Sequence, residues 1–205
     1  PAPGEATVRH HAVGLNYIDT YHRTGLYPLP LPSGIGLEGA GVVEAVGEGV
    51  TEVKVGDRVA YAGGPIGAYA EVRNIPVHRL LILPDSIGFD TGAAMMLQGL
   101  TAAYLLRKTY RVQPGDAVLI HAAAGGVGLI VCQWAKALGA TVIGTVGSPA
   151  KAELARAHGC DHVINYASEN FTQRVRDITG GKGVAVVYDG VGKDTFTGSL
   201  DSLRP

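Results

Sequence analysis

The sequence predicts an α/β fold in two parts, a small, mostly antiparallel β-barrel followed by a parallel, doubly wound βα sheet. Three observations predict it. Up to about residue 98 the chain is written in short β-rich runs broken by glycine and proline, the pattern of antiparallel strands joined by tight turns. Beyond Pro114-Gly115-Asp116 apolar runs alternate with stretches of helical spacing, which encodes a sheet covered by helices. The first of those apolar runs passes through a glycine-rich loop straight into a helix. We therefore divide the chain at 1–98 and 99–205.

In the first part, residues 7–13, 39–46, 57–61 and 68–72 have strand composition, separated by turn formers such as Gly47-Glu48-Gly49 and Gly63-Gly64-Pro65. Residues 90–110 read as helix, at a junction of the kind that commonly lines a ligand cleft. In the second part, 117–122, 141–146, 162–165 and 184–188 are the expected strands, and 127–138, 151–158, 171–178 and 195–203 the expected helices. A six-stranded nucleotide-binding sheet needs two more strands. The expectation is that part of this domain lies beyond Pro205, and part of the first before Pro1.

Composition narrows the function classes. With 46% hydrophobic residues in 205 the chain can bury a sizeable core. Its 17 basic and 18 acidic side chains nearly cancel, so it has no large field to attract polyanions, and nucleic acid is not the expected partner. Cys132 and Cys160 form no C-x-x-C pair, which supports neither a disulfide framework nor a cysteine-rich zinc site. No run reaches the roughly 18 apolar residues of a membrane span. A cytoplasmic location is the default expectation.

The glycine loop carries the chemistry. After Val118-Leu119-Ile120 come His121-Ala122-Ala123-Ala124-Gly125-Gly126-Val127-Gly128 and a helix. Glycines let backbone approach a pyrophosphate, and a helix N-terminus offers unpaired amides and a positive dipole end. Gly125, Gly126 and Val127 are thus expected at a dinucleotide. An NAD site normally carries an acidic residue about 20 positions on, for the ribose hydroxyls. That stretch is Gly144-Thr145-Val146-Gly147-Ser148-Pro149-Ala150-Lys151, without a carboxylate. Gly147, Ser148 and Lys151 suit a 2′-phosphate instead, which favours NADPH. A lysine in a first helical turn otherwise meets an unfavourable dipole.

Several motifs in order now carry a family resemblance: residues 14–21 (GLNYIDTY), 25–28 (GLYP), 38–43 (EGAGVV), 55–59 (VGDRV), 99–102 (GLTA) and 122–128 (AAAGGVG). Together they resemble the medium-chain dehydrogenase/reductase superfamily, with a GroES-like barrel and a Rossmann domain, and within it the zeta-crystallin-like quinone oxidoreductases. Zinc alcohol dehydrogenases of that superfamily bind catalytic metal through a Cys, a His preceding a Glu, and a later Cys. The corresponding positions here are Asn16, Leu37 and Leu97, which make no usable zinc set. No cysteine precedes Cys132 to supply a structural-zinc lobe. His158, Cys160 and His162 are the nearest metal-like cluster, but Gly159 interrupts them and spacing alone is a weak signal. No metal is expected.

Without a Lewis acid, alcohol oxidation is difficult and an electron-poor acceptor is required. Quinones and conjugated enones meet that requirement with hydrogen-bond support alone. The resemblance implies NADPH-dependent quinone reduction, with homodimerisation through C-terminal strands outside this chain. It makes residues 16–21 a loop in place of the zinc centre, with Asn16 and Asp19 shaping the site and Asn16 beside the cofactor. Tyr21 and Tyr27 would contact the acceptor or donate a hydrogen bond. Thr101 and Tyr104 would face the cofactor, Tyr166 stack near its adenine and Gly190 let it pass. Asn16, Asp19 and Gly190 also read as plain turn formers, and the tyrosines and Thr101 as plain packing. Two alternatives stay open, an NADPH-dependent alkenal or enone reductase, and a non-catalytic NADPH-binding structural or RNA-binding protein.

Overall fold

The computed structural model describes all 205 residues. They form two compact units, Pro1–Leu100 and Thr101–Pro205.

In the first unit β1 (Glu5–Val13), β2 (Glu38–Val46), β3 (Arg58–Ala62), β4 (Val72–Pro76) and β5 (Leu81–Ile82) make one sheet in the order β4-β1-β2-β3-β5. All its pairings are antiparallel. Alternation decides which face is inside: Ala6 and Val8 of β1 are buried, whereas Arg9 between β2 and β4 is exposed. They pack with Val43, Val59, Tyr61, Ala68 and Ile75 into one cluster. β4 and β5 are the edges, so the barrel-like core is closed by side-chain packing and not by a continuous ladder.

Two expectations for this unit are corrected. The fourth strand is Val72–Pro76 and not 68–72. Its Arg73, Asn74 and Pro76 suggest a turn, but an edge strand tolerates polar residues outward and a proline at its end. Ala68 is instead a fully buried loop residue whose amide bonds to Gly36. Residues 16–21 are also not a loop, since α1 spans Tyr17–Thr24 with Asn16 as its N-cap and Gly25, at φ 77°, ending it. Eight mostly polar residues show no apolar stripe, and the available signal was Asn16 with Asp19 three positions later.

α2 (Phe89–Tyr104) follows and gives way to a π-helical turn at Leu105–Thr109, closed by the Tyr110 amide on the Leu105 carbonyl at 3.2 Å.

The second unit contains β6 (Ala117–Ile120), α3 (Gly126–Ala137), β7 (Thr141–Val146), α4 (Pro149–Ala157), β8 (His162–Asn165), α5 (Phe171–Thr179), β9 (Val186–Tyr188) and α6 (Phe196–Asp201). Its sheet is parallel, in the order β8-β7-β6-β9. Both faces are covered. Val118, Ile120, Val142 and Val146 pack with Val131, Cys132 and Ala135 of α3 and Ala152 and Ala155 of α4. Leu119, Ile143 and Ile164 point the other way, against Val175 of α5. Each such buried aliphatic side chain contributes about 1.5 to 3 kcal/mol, and the alternation makes the sheet doubly wound. The strand order places β6 and β7 side by side, so the loops leaving their C-terminal ends are neighbours.

Candidate functional site

In the first unit a buried polar knot lies where β1 leads into α1. The Asn16 amide donates to Asp19 Oδ2 at 2.9 Å, a bond that ties the N-cap to the first helical turn. With its backbone so held, the Asn16 side chain points inward and donates to Glu38 Oε2 at 2.6 Å. The Leu97 amide donates to Glu38 Oε1 at 2.7 Å. Glu38 is only 1% exposed. Burial pushes its carboxyl above the usual range, and the nearby Asp19 charge adds to this, while the bonds from Asn16 and the backbone pull it back. Gly14 is required here. A Cβ on it would lie 2.2 Å from Glu38 Oε2 and 2.3 Å from the Ala93 carbonyl oxygen.

Asp19 is 2% exposed and also accepts from the Tyr69 hydroxyl at 2.8 Å. Burial, then that bond and the Asp19 charge, push the Tyr69 phenol up to about 12. Beside the knot a pocket of about 310 Å³ is lined by Gly14, Glu38, Asp90 and Gln98 with small apolar neighbours. Neither Asn16 nor Asp19 lines it. Tyr21 and Tyr27 sit apart, in a ladder of rings: Tyr17 meets Tyr21 edge-on at 5.3 Å and Tyr21 meets Tyr27 at 5.2 Å. Tyr27 is exposed and Tyr21 half-buried.

The positions expected of zinc ligands do not fit a metal. The Asn16 amide group is committed to Glu38, and Leu37 and Leu97 bring no ligand atom. No group of three or more His, Cys, Asp or Glu side chains is arranged to hold one.

In the second unit the chain turns sharply after β6. Ala122 takes φ 52°, a left-handed conformation uncommon for a residue with a side chain. The turn is held by Ala123 N donating to Thr145 O at 3.0 Å and Gly125 N to Ala122 O at 2.8 Å. Gly125 then caps α3, whose first turn carries no acidic residue. The first-turn amides of Gly126, Val127 and Gly128 precede any intrahelical acceptor and open an anion site. Gly128 must be glycine, because a Cβ there would lie 2.4 Å from Ala122 O and 2.8 Å from Ala123 O.

At the end of β7 the structure brings four expected residues together. Ser148 caps α4 and accepts from the Lys151 amide at 3.4 Å. The Lys151 side chain is exposed and makes no ion pair. Tyr166, just past β8, lays its hydroxyl end against Gly147, where a Cβ would come within 2.6 Å of it. Gly190 is exposed after β9, and Tyr104 and Thr101 lie on the last turns of α2.

Sequence reasoning missed Glu38, Tyr69, His121 and Asp189. Asp189 follows β9 directly and accepts from the Val191 and Gly192 amides, from Thr195 Oγ1 and from Ser199 Oγ. Burial opposes its charge, but these bonds win and hold the carboxyl at about 2. The only signal was an Asp before Gly190-Val191-Gly192, a turn composition.

Residues 2–85 match the family model of the alcohol dehydrogenase GroES-like domain and 126–205 that of the zinc-binding dehydrogenase. A Pseudomonas aeruginosa quinone oxidoreductase is 60% identical over the whole chain, and a Burkholderia 2-haloacrylate reductase 53%. The chain spans 63% of the length of each of these relatives. The crystal structure of Escherichia coli quinone oxidoreductase complexed with NADPH superimposes with a TM-score of 0.97 at 56% identity, over all of this chain and 63% of that one. The chain belongs to the medium-chain dehydrogenase/reductase superfamily, on its zeta-crystallin-like quinone oxidoreductase branch.

Proposed function

We propose that the protein is an NADPH-dependent, zinc-independent oxidoreductase whose acceptor is a quinone. The observation that carries it is the cofactor edge of the second unit, where an open phosphate loop neighbours a strand end with a hydroxyl, an unpaired lysine and no carboxylate. Relatives at 56 to 60% identity are quinone oxidoreductases, one of them solved with NADPH.

The residues divide the work. The open amides of Gly126 and Val127 hold the pyrophosphate at the α3 N-terminus, and Gly125, its own amide bonded to Ala122, lets the backbone come close to it. Ser148, the Gly147 backbone and Lys151 hold the 2′-phosphate, which an NAD-type carboxylate would repel. Tyr166 borders the adenosine, and Gly190 leaves its edge of the sheet open. NADPH, when bound, supplies a hydride from C4 of its nicotinamide. Asn16 holds the start of α1 to Glu38, and Asp19 holds it to Tyr69, so both position the segment that replaces a metal centre. Tyr21 and Tyr27 offer a flat aromatic acceptor a stacking surface and a phenol proton. Thr101 and Tyr104 keep the cofactor-facing role that the resemblance implies. Because Asn16, Leu37 and Leu97 supply no Lewis acid, the acceptor must already be electron-poor, as quinones are.

A second reading, reduction of a conjugated enone or acrylate, is favoured by the 2-haloacrylate reductase relative. The full-length protein, given NADPH with a quinone panel and an enone panel, decides between them. Faster turnover on quinones supports the first reading, and faster turnover on enones replaces it with the second. Tight NADPH binding with turnover on neither favours a non-catalytic role, and the near-zero net charge argues against RNA as its partner. No helix is long and apolar enough to cross a membrane. We read the protein as a cytoplasmic homodimer, and sizing of the full-length protein tests the dimer.

A further inference from the structure

We propose that His121 is a positioning residue of the cofactor loop, a neutral imidazole protonated on Nε2 that holds the ends of β7 and β9 to the start of the phosphate turn. The inference rests on the NADPH reading above, and extends it to a residue that touches no cofactor.

His121 is the last residue before the strained Ala122, and is 5% exposed. Its Nδ1 lies 2.8 Å from Thr145 Oγ1 on β7, and its Nε2 lies 3.1 Å from Ser199 Oγ on α6. Ser199 Oγ is in turn 2.6 Å from Asp189 Oδ2. These contacts determine the protons. Asp189 is held ionised near 2 and can only accept. The single Ser199 proton therefore goes to Asp189, and the short O–H to carboxylate distance fits a charge-assisted bond. Toward His121 Ser199 can then only accept, so Nε2 carries a hydrogen. Nδ1 is left to accept from the Thr145 hydroxyl, which gives every member one consistent role.

The order is not that of a nucleophilic triad. There the imidazole lies between serine and carboxylate, ready to take the serine proton. Here the serine lies between the other two and gives its proton to the carboxylate.

The arrangement reaches the cofactor edge twice. Thr145 accepts at its carbonyl from the Ala123 amide of the turn and meets His121 through its side chain. Two and three residues further on are Gly147 and Ser148. His121 thus couples the pyrophosphate loop to the 2′-phosphate end of β7. A cationic imidazole would need both partners to accept, and would force the buried Thr145 hydroxyl to turn its hydrogen elsewhere. The surroundings oppose that charge. α5 presents the Phe171 ring, edge-on at 4.9 Å, and β9 presents the Tyr188 carbonyl to the His121 amide, the Tyr188 hydroxyl being bonded away to Leu105. Asp189 is the one charge that favours protonation, and burial outweighs it, moving the imidazole below its ordinary value. The neutral form is therefore the one that shapes the site. As pH falls through the lowered His121 pKa the organised loop is lost, and NADPH affinity falls with it.

The test uses the full-length protein and NADPH titrated by fluorescence from about pH 8 to pH 5, across the range where imidazoles change charge. The wild type should weaken by up to about tenfold per pH unit below the His121 pKa. His121→Gln keeps a donor for Ser199 and cannot titrate. It should bind within about threefold of wild type at pH 8 and show only the pH dependence that the cofactor's own 2′-phosphate, titrating near pH 6, gives to both proteins. His121→Ala should bind weakly at every pH. Imidazole ¹⁵N resonances of the unsubstituted protein provide a readout independent of any variant's folding, and should show an Nε2–H tautomer that protonates below the ordinary histidine range. An Nδ1–H tautomer, an ordinary or raised pKa, or a His121→Gln curve parallel to wild type overturns the proposal. Failure of the wild type to bind NADPH at any pH overturns the cofactor reading beneath it.

Discussion

Adding one methyl group at Gly128 should disable the phosphate turn. The Cβ of Gly128→Ala would stand 2.4 Å from Ala122 O, 2.8 Å from Ala123 O and 2.9 Å from Ala123 C, all of them backbone atoms. Restoring ordinary contact requires Ala122 O to retreat by roughly 1 Å. That carbonyl accepts the Gly125 amide and belongs to a residue already at φ 52°, so it has little freedom to move. Overpacking of this kind costs about 1 to 3 kcal/mol, and alanine in place of glycine returns up to about 1 kcal/mol of helix propensity. A net loss of about 1 to 2 kcal/mol is expected in urea unfolding of the full-length protein. Displacement of the Gly126 and Val127 amides should weaken NADPH by at least about one decade, equivalent to 1.4 kcal/mol. Val175→Ala, a fully buried position on the opposite face of the sheet, should cost comparable stability with unchanged NADPH affinity. A Gly128→Ala protein that binds NADPH as wild type does, or a Val175→Ala protein weakened to the same degree, would refute the reasoning.

Lys151→Ala should weaken NADPH by about one to two decades while hardly changing NADH, since a charge-assisted hydrogen bond to phosphate contributes about 1.5 to 3 kcal/mol. Parallel fluorescence titrations of both cofactors check this, and Ser148 and the neighbouring amides would moderate the loss. Asp189→Asn should destabilise the protein by about 1 to 2 kcal/mol at pH 7, after allowance for partial solvent screening. Its carboxyl is held near 2 from an ordinary 3.8, so that stability is present above about pH 4 and lost as pH falls toward 2; urea unfolding of wild type and variant at pH 7 and near pH 3 should show the difference shrinking. Elemental analysis of the full-length protein should find no stoichiometric zinc, and chelators should leave turnover unchanged.

How much of this was legible depends on how local the cause is. β7 and β8 lie at the residues expected: β7 is an apolar run rich in β-branched residues and is buried from Val142 to Val146, whereas β8, at the edge of the sheet, buries only Ile164. β9 starts two residues later than its composition suggests. Val184 is drawn off into an isolated bridge with Leu203, a distant partner that its own segment cannot announce. The glycine loop was legible because its chemistry is contiguous. The knot around Glu38 was not: Glu38 looks like an ordinary strand-initiating charge, and becomes a buried anchor only when Gly14, Asn16 and Leu97 converge on it. Asn16 and Asp19 were found as residues that shape the site, but in a segment read as a loop, which is a capped helix. His121 could not be distinguished among seven histidines. Its meaning comes from Ser199, 78 residues away.

The most direct test of the central claim is stopped-flow oxidation of NADPH by the full-length, chelator-treated protein mixed with a quinone. The reduced nicotinamide signal should be lost rapidly in step with quinone reduction, with a much weaker response when NADH replaces NADPH. Dependence of that reaction on added zinc, or equal use of NADH, would contradict the claim.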